Sequence, residues 1–116
     1  MGTIAASIPE GERPMRIMTR GRLIRFWSRH PDAEQPLKAW HSEVTDSTWK
    51  NTADIRRHYG TADFVAGNRV IFNIGGNKYR LIAKINYPAQ LVFICFLGTH
   101  REYDKVDAAT VWEVEP

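Results

Sequence analysis

Between Arg69 and Leu97, two short turn-forming stretches separate three runs rich in Val, Ile, Phe and Tyr. The runs are Arg69–Ile74, Tyr79–Asn86 and Leu91–Leu97, and β-branched and aromatic residues in runs of this length predict strands. Gly75-Gly76-Asn77 marks a hairpin between the first two, because these residues tolerate the positive φ of a tight reversal. Tyr87-Pro88-Ala89-Gln90 marks the next turn, so the three strands form an antiparallel meander. Successive side chains of a strand point to opposite faces. Val70, Phe72 and Ile74 therefore share one face, and with an even-numbered hairpin loop Tyr79, Leu81, Ala83 and Ile85 join them. Arg69, Asn73, Lys78, Arg80 and Lys84 then share the opposite, open face. A one-residue slip would bury a row of cations, so this register is strongly specified.

An apolar sheet face needs a cover, and the first half of the chain supplies it. Arg16-Ile17-Met18 reads as a short strand, and Thr19 as the N-cap of a helix to about Arg29. Leu23, Phe26, Trp27 and His30 form its inward face, while Arg22, Arg25 and Arg29 lie together on another. Asp32 is placed to cap a second helix over 33–45, in which Ala33, Leu37, Trp40 and Val44 repeat at helical spacing. Pro36 falls in its first turn, where no intrahelical N–H is lost. Thr52 is expected to cap a short helical turn, Ala53–Tyr59, closed by Gly60. The order implies an α+β fold: an N-terminal strand and helix pair packed on an antiparallel β-sheet meander. Residues 1–14 lack periodicity and read as a flexible extension ahead of a single domain over 15–116.

Charge distribution narrows the function more than the net charge of +3 does. Met15–His30 holds five arginines and no acid, and Phe64–Arg101 holds five more Lys and Arg residues, again without an acid. Such segregation, with a carboxylate-free sheet face, fits a polyanion such as nucleic acid, although a solvated face of incidental basic bias has the same composition. The longest uncharged stretch, Ile85–His100, is short and interrupted by Asn86, Pro88, Gln90 and Gly98, so no membrane span is expected. The first residues lack the pattern of a secretory signal, and the single cysteine, Cys95, reads as a buried packing residue; both fit a cytoplasmic protein. His30, His41 and His58 match no metal-ligand spacing, and Gly75-Gly76-Asn77 lacks the lysine and helix of a phosphate-binding loop. No metal or other cofactor is expected.

The chemistry-bearing element follows the last strand: Gly98-Thr99-His100-Arg101-Glu102-Tyr103-Asp104. RNA cleavage without a metal needs a base for the 2′-OH proton, an acid for the departing 5′-oxygen, and cations for the phosphorane. Histidine titrates near neutrality, so His100 is the natural proton carrier. Tyr103 can hydrogen-bond the phosphate or stack on a base, and Arg80 offers a planar fork for its oxygens. Lys84 is a further cation of the same face. The ordinary alternatives are a surface histidine after a strand and cations that keep an exposed sheet soluble.

The run NRVIFNIGGNKYRLIAKINY (68–87) followed by GTHREYDKVDA (98–108) resembles the HigB family of toxins from bacterial toxin–antitoxin pairs, in the RelE/ParE superfamily. MRIMTRGRLIRFWSRHPDAEQPLKAWHSEV and Trp49 with DIRRHYGTADFV resemble the family's lead-in, so the likeness runs from about Met15 to Ala108. The resemblance implies a RelE-like fold and a ribosome-dependent mRNA interferase, a metal-independent endoribonuclease of translated messages. It also implies neutralisation by a helix-turn-helix antitoxin of the HigA type, with operator DNA bound only through the pair. Carried onto this chain, the catalytic groups are Arg80, His100 and Tyr103, with Lys84 in support. Arg69, Asn73, Asn77, Lys78, Arg22 and Arg25 are the candidates for holding RNA phosphate. The superfamily also contains non-catalytic inhibitors of DNA gyrase, and a purely RNA-binding regulator is a third reading.

Overall fold

A computed structural model describes residues 12–113; most of the extension expected over 1–14 lies outside them. The order is β1 (Arg16–Ile17), α1 (Arg20–Arg29), a 3₁₀ turn (Pro31–Ala33), α2 (Glu34–Thr45), α3 (Thr52–His58), β2 (Asp63–Val65), β3 (Arg69–Ile74), β4 (Tyr79–Asn86), β5 (Leu91–Thr99) and α4 (His100–Tyr103). The five strands form one sheet in the order β1-β5-β4-β3-β2. All neighbours are antiparallel except β1, which pairs parallel with β5 through Arg16↔Leu91 and Ile17↔Val92. The α+β class and the meander agree with the sequence reading; β2 is an added three-residue edge strand.

The register follows the alternation. Ile74 pairs with Tyr79 across a four-residue loop, so the apolar sets of β3 and β4 do share a face. Val70, Phe72, Leu81, Ala83 and Ile85 pack there with Leu23, Leu37, Trp40, Val44 and Ile55 of the helices. Trp49 is buried in the same core, its ring stacked on Phe72 at 6.1 Å and edge-on to Tyr59.

Three local devices differ from expectation. Thr19 precedes α1 but makes no side-chain cap; its Oγ1 accepts from Ile94 N at 3.1 Å and ties the helix start to β5. Asn51, not Thr52, caps α3, its Oδ1 accepting from Asp54 N at 3.1 Å. Asp32 lies inside the 3₁₀ turn and caps nothing; its carboxylate accepts from Lys78 Nζ (2.5 Å) and from the Tyr79 hydroxyl. This contact fastens the helical layer to the β3–β4 hairpin.

A bulge re-phases the last strand. Pairing steps from Ile82↔Phe96 to Ala83↔Ile94, leaving Cys95 as an extra residue in β5. Ile94 and Leu97 therefore both reach the helix-covered core, while Cys95 and Phe96 both point to the opposite face.

That opposite face is not open along its length. Ile71, Ile82, Cys95 and Phe96 form a second, smaller core under Tyr103, Val106, Ala108 and Val111. The covering segment, residues 104–113, crosses the sheet as a strap held by two arginines. Arg69 Nη1 donates to the carbonyls of Ala108 (3.1 Å) and Val111 (2.5 Å), and its guanidinium lies 5.7 Å over the Trp112 ring. Arg22 donates to Ile94 O (2.8 Å) and to the carboxylate of Glu113 (2.5 Å), while Glu113 N donates to Cys95 O (2.9 Å). Among the described residues no helix is long and apolar enough to cross a membrane.

Candidate active site

At the end of the sheet beside the hairpin the strap does not interpose, and β4 meets the turn that follows β5. Arg80 stands opposite Asn73 of β3 and Gly98 of β5. A Cβ on Gly98 would lie 2.6 Å from Phe96 Cζ and 2.9 Å from Glu102 Oε1, so the strand next to Arg80 has no room for a side chain.

The turn itself is set by a capping box. Thr99 Oγ1 accepts from Glu102 N (3.1 Å), and Glu102 Oε1 accepts from Thr99 N (2.8 Å). These reciprocal bonds start α4 at the end of β5, and His100 N donates to Lys78 O (3.0 Å), stitching the turn to the hairpin. His100 and Tyr103, three apart on a helical turn, fall on one side of it. Their ring centroids are 6.5 Å apart, and the Arg80 guanidinium lies 5.7 Å over the Tyr103 ring. Arg80 Nη1 also donates to Asn77 O at 3.3 Å, which holds the fork at the hairpin end of the sheet. Three groups from two distant stretches of sequence thus converge: an exposed imidazole, a half-buried phenol and a half-buried guanidinium.

The convergence brings in one residue that sequence reading missed. Asp104 Oδ2 lies 3.4 Å from His100 Nδ1, where a carboxylate can orient the imidazole ring. The signal for the whole element was present as the T-x-x-E pattern of Thr99 and Glu102, which announces a helix start.

The other candidates separate into groups. Asn73 stays beside Arg80, its amide donating to Thr61 O at 3.4 Å, and Asn77 is exposed in the hairpin. Lys78 does not join them: it sits in the turn, outside the strand's alternation, and its ammonium pairs with Asp32. The Lys78 contact holds the Asp32 carboxyl below its usual range, and the hydrogen bond that Tyr79 donates to Asp32 pushes the Tyr79 phenol up to about 12. Lys84 is exposed but four residues along β4 from Arg80, roughly 13 Å at a strand's rise, with the strap-covered Ile82 between them. It therefore does not support His100. Arg69 is buried and engaged by strap carbonyls, so the face it was expected to share with Arg80 is interrupted there. Arg22 is likewise engaged by Glu113. Arg25 lines a cleft of about 580 Å³ between α1, β5 and the strap, together with Arg29, His30 and Lys105. His30, expected to face inward, stacks on Phe26 at 4.4 Å on the wall of that cleft.

Residues 33–106 match the HigB toxin family, described as the RelE-like toxic component of a toxin-antitoxin system. The chain belongs to this family. It is similar to the mRNA interferase toxin HigB of Escherichia coli (strain K12), 24% identical over 92 residues that cover 78% of this chain and 88% of the relative. The mRNA interferase HigB of Shigella flexneri matches at the same identity and coverage. That of Escherichia coli O6:H1 (strain CFT073) is 23% identical over 94 residues, covering 79% of this chain and 91% of the relative. The HigB match takes in Arg80, His100 and Tyr103 and stops at Val106, ahead of most of the strap.

Proposed function

We propose that this HigB-family toxin is an mRNA interferase that cleaves translated messages on the ribosome without a metal, and that a HigA-type antitoxin neutralises it. The observation that carries this reading is the meeting of Arg80, His100 and Tyr103 at the uncovered end of the sheet, in a chain similar to proteins named mRNA interferases.

The arrangement supplies each group that transesterification requires. One proton carrier takes the 2′-OH proton as that oxygen attacks phosphorus; the P–O5′ bond breaks, and the departing 5′-oxygen receives a proton. The products are a 2′,3′-cyclic phosphate and a free 5′-hydroxyl. His100, with Asp104 behind it, is the mobile proton site. Arg80 faces the charge that accumulates on the non-bridging oxygens, where a preformed donor stabilises the transition state more than the ground state. Tyr103, held against Arg80, positions the phosphate or stacks on an adjacent base. Restriction to ribosome-bound message fits a site whose imidazole stands exposed, which leaves the ribosome to hold the strand in line.

The test is to express the chain without its antitoxin in translating cells and map the 5′ ends of messages. Cuts within reading frames that vanish in His100→Ala and Arg80→Ala support the proposal. Growth arrest with intact messages and broken DNA overturns it. Cutting of naked RNA at the rate seen on ribosomes would remove the ribosome from the mechanism.

A further inference from the structure

At the opposite end of the strap-covered face from Arg80 lies a second concavity, a groove of about 450 Å³. Lys84 at the end of β4, Phe93 on β5, Trp112 on the strap, and Asn68, Asn86 and Tyr87 from the flanking turns line it. Its composition is unlike an ordinary surface depression. Trp112 is 49% exposed, the most exposed large apolar residue among those described. It is nonetheless held in place: its ring sits 6.4 Å from that of Phe93, and Arg69 braces it from the buried layer. Two carboxamides reach the rim. Asn86 Oδ1 accepts from Ala89 N, which fixes that side chain while its amide hydrogens stay available. Asn68 is held in the left-handed region at φ 60°. Lys84 is exposed, and among the described residues no acid lines the groove. The hydroxyl of Tyr87, also lining it, is buried with no hydrogen-bond partner.

An exposed but immobilised aromatic, carboxamides and an exposed ammonium are the elements that bind an unpaired nucleobase and its phosphate. The ring stacks on any base, the amides discriminate its edge, and the cation holds the backbone. We infer that this groove is a base-reading subsite for single-stranded RNA, and that it sets the sequence preference of cutting at the Arg80 end. The inference rests on the ribonuclease reading for its consequence but not for its binding chemistry. The roughly 13 Å of β4 between Arg80 and Lys84 places the base that is read away from the scissile phosphate, on the same strand of message. Trp112 lies beyond the stretch matched to the HigB family, so the preference does not follow from family membership alone.

The experiment uses the His100→Ala protein, so that binding is measured without turnover, and four fluorescently labelled heptaribonucleotides, one for each base. Trp112→Leu in this background should weaken the tightest of the four by roughly tenfold, the size of one lost base–aromatic stack, and level the differences among them. Trp112→Phe should restore most of the affinity, which separates stacking from any loosening of the strap. Lys84→Gln should weaken all four by a similar smaller factor and flatten the salt dependence. In cells, end mapping of Trp112→Leu with His100 intact should show a changed base preference around the cuts. Unchanged affinities and an unchanged cutting pattern in both variants would overturn the inference while leaving the ribonuclease intact. Variants that keep RNA affinity but weaken binding of the antitoxin would also overturn it, assigning the groove to a protein. Absence of any cutting by the His100-intact chain, with the oligonucleotide affinities still dependent on Trp112, would sink the ribonuclease and leave the groove.

Discussion

The two faces of the sheet are built on different principles. The helix-covered face buries Leu23, Leu37, Trp40, Val44, Trp49, Ile55 and Phe72 against the strands, nearly all at full burial. The strap-covered face buries the four apolar residues of its small core, and the strap is held down by hydrogen bonds from Arg69 to the Ala108 and Val111 carbonyls and from Arg22 to Glu113. Burial is non-directional and scales with apolar area, so the first face supplies the fold's stability. Hydrogen bonds are directional, and even those from a cation contribute only about 1.5–3 kcal/mol each, so the second face supplies chiefly geometry. The candidate site lies where this thin cover stops.

The contrast breaks first at Phe72. Truncation to Ala removes a ring packed against Trp40, Trp49 and Tyr59 and should cost about 3–5 kcal/mol by chemical denaturation. If the cost were under about 1 kcal/mol, the helix-covered core would not be the stabilising layer. Arg80→Ala is the converse: single-turnover cutting should fall roughly 10²–10³-fold while the unfolding midpoint moves little. A comparable loss of stability would mean that Arg80 is structural and the two faces are not specialised.

Arg69→Met sharpens the comparison within the second face. It keeps the aliphatic stem but leaves the Ala108 and Val111 carbonyls without their donor, at a cost of about 1–3 kcal/mol. Amide exchange of residues 108–113 should accelerate while that of β3 and β4 does not. Equal acceleration throughout would show the strap to be part of the main cooperative unit.

The smallest effect concerns the pin between layers. The Lys78 ammonium, and after it the Tyr79 hydroxyl, hold the Asp32 carboxyl below its ordinary value of 3.8. A carboxyl depressed in the folded state stabilises above the unfolded value, and that contribution is lost as pH falls through the folded one. The Tm gap between wild type and Asp32→Asn should therefore be constant near neutrality and close below about pH 3.8. A gap that persists unchanged into stronger acid would rule out the ionised carboxylate as its source.

Much of the first face was legible in the sequence because its signals are periodic. Leu37, Trp40 and Val44 recur at helical spacing, Val70, Phe72 and Ile74 at strand spacing, and Gly75-Gly76 marks the reversal with positive φ at both glycines. The second face was half legible. Arg80, His100 and Tyr103 do meet, but Val106, Ala108 and Val111 follow neither period, so nothing announced a strap that buries Arg69 and isolates Lys84. Lys78 was misplaced because the alternation was extended one residue into the turn. Asp63–Val65 is too short for its alternation to register.

The bulge at Cys95 has a consequence for how this sequence can change in length. Cys95 is the extra residue, so its deletion would pair Ile94 with Ala83 and Phe96 with Ile82 in plain alternation, leaving Phe96 under the strap and Leu97 toward the helices. An inserted residue, by contrast, would exchange interior for exterior at every later side chain up to the turn that carries His100 unless a further bulge absorbed it. The stretch between Ile94 and Thr99 can therefore lose its bulged residue more readily than it can gain another. Over evolutionary time this stretch should shorten by that one residue more readily than it lengthens.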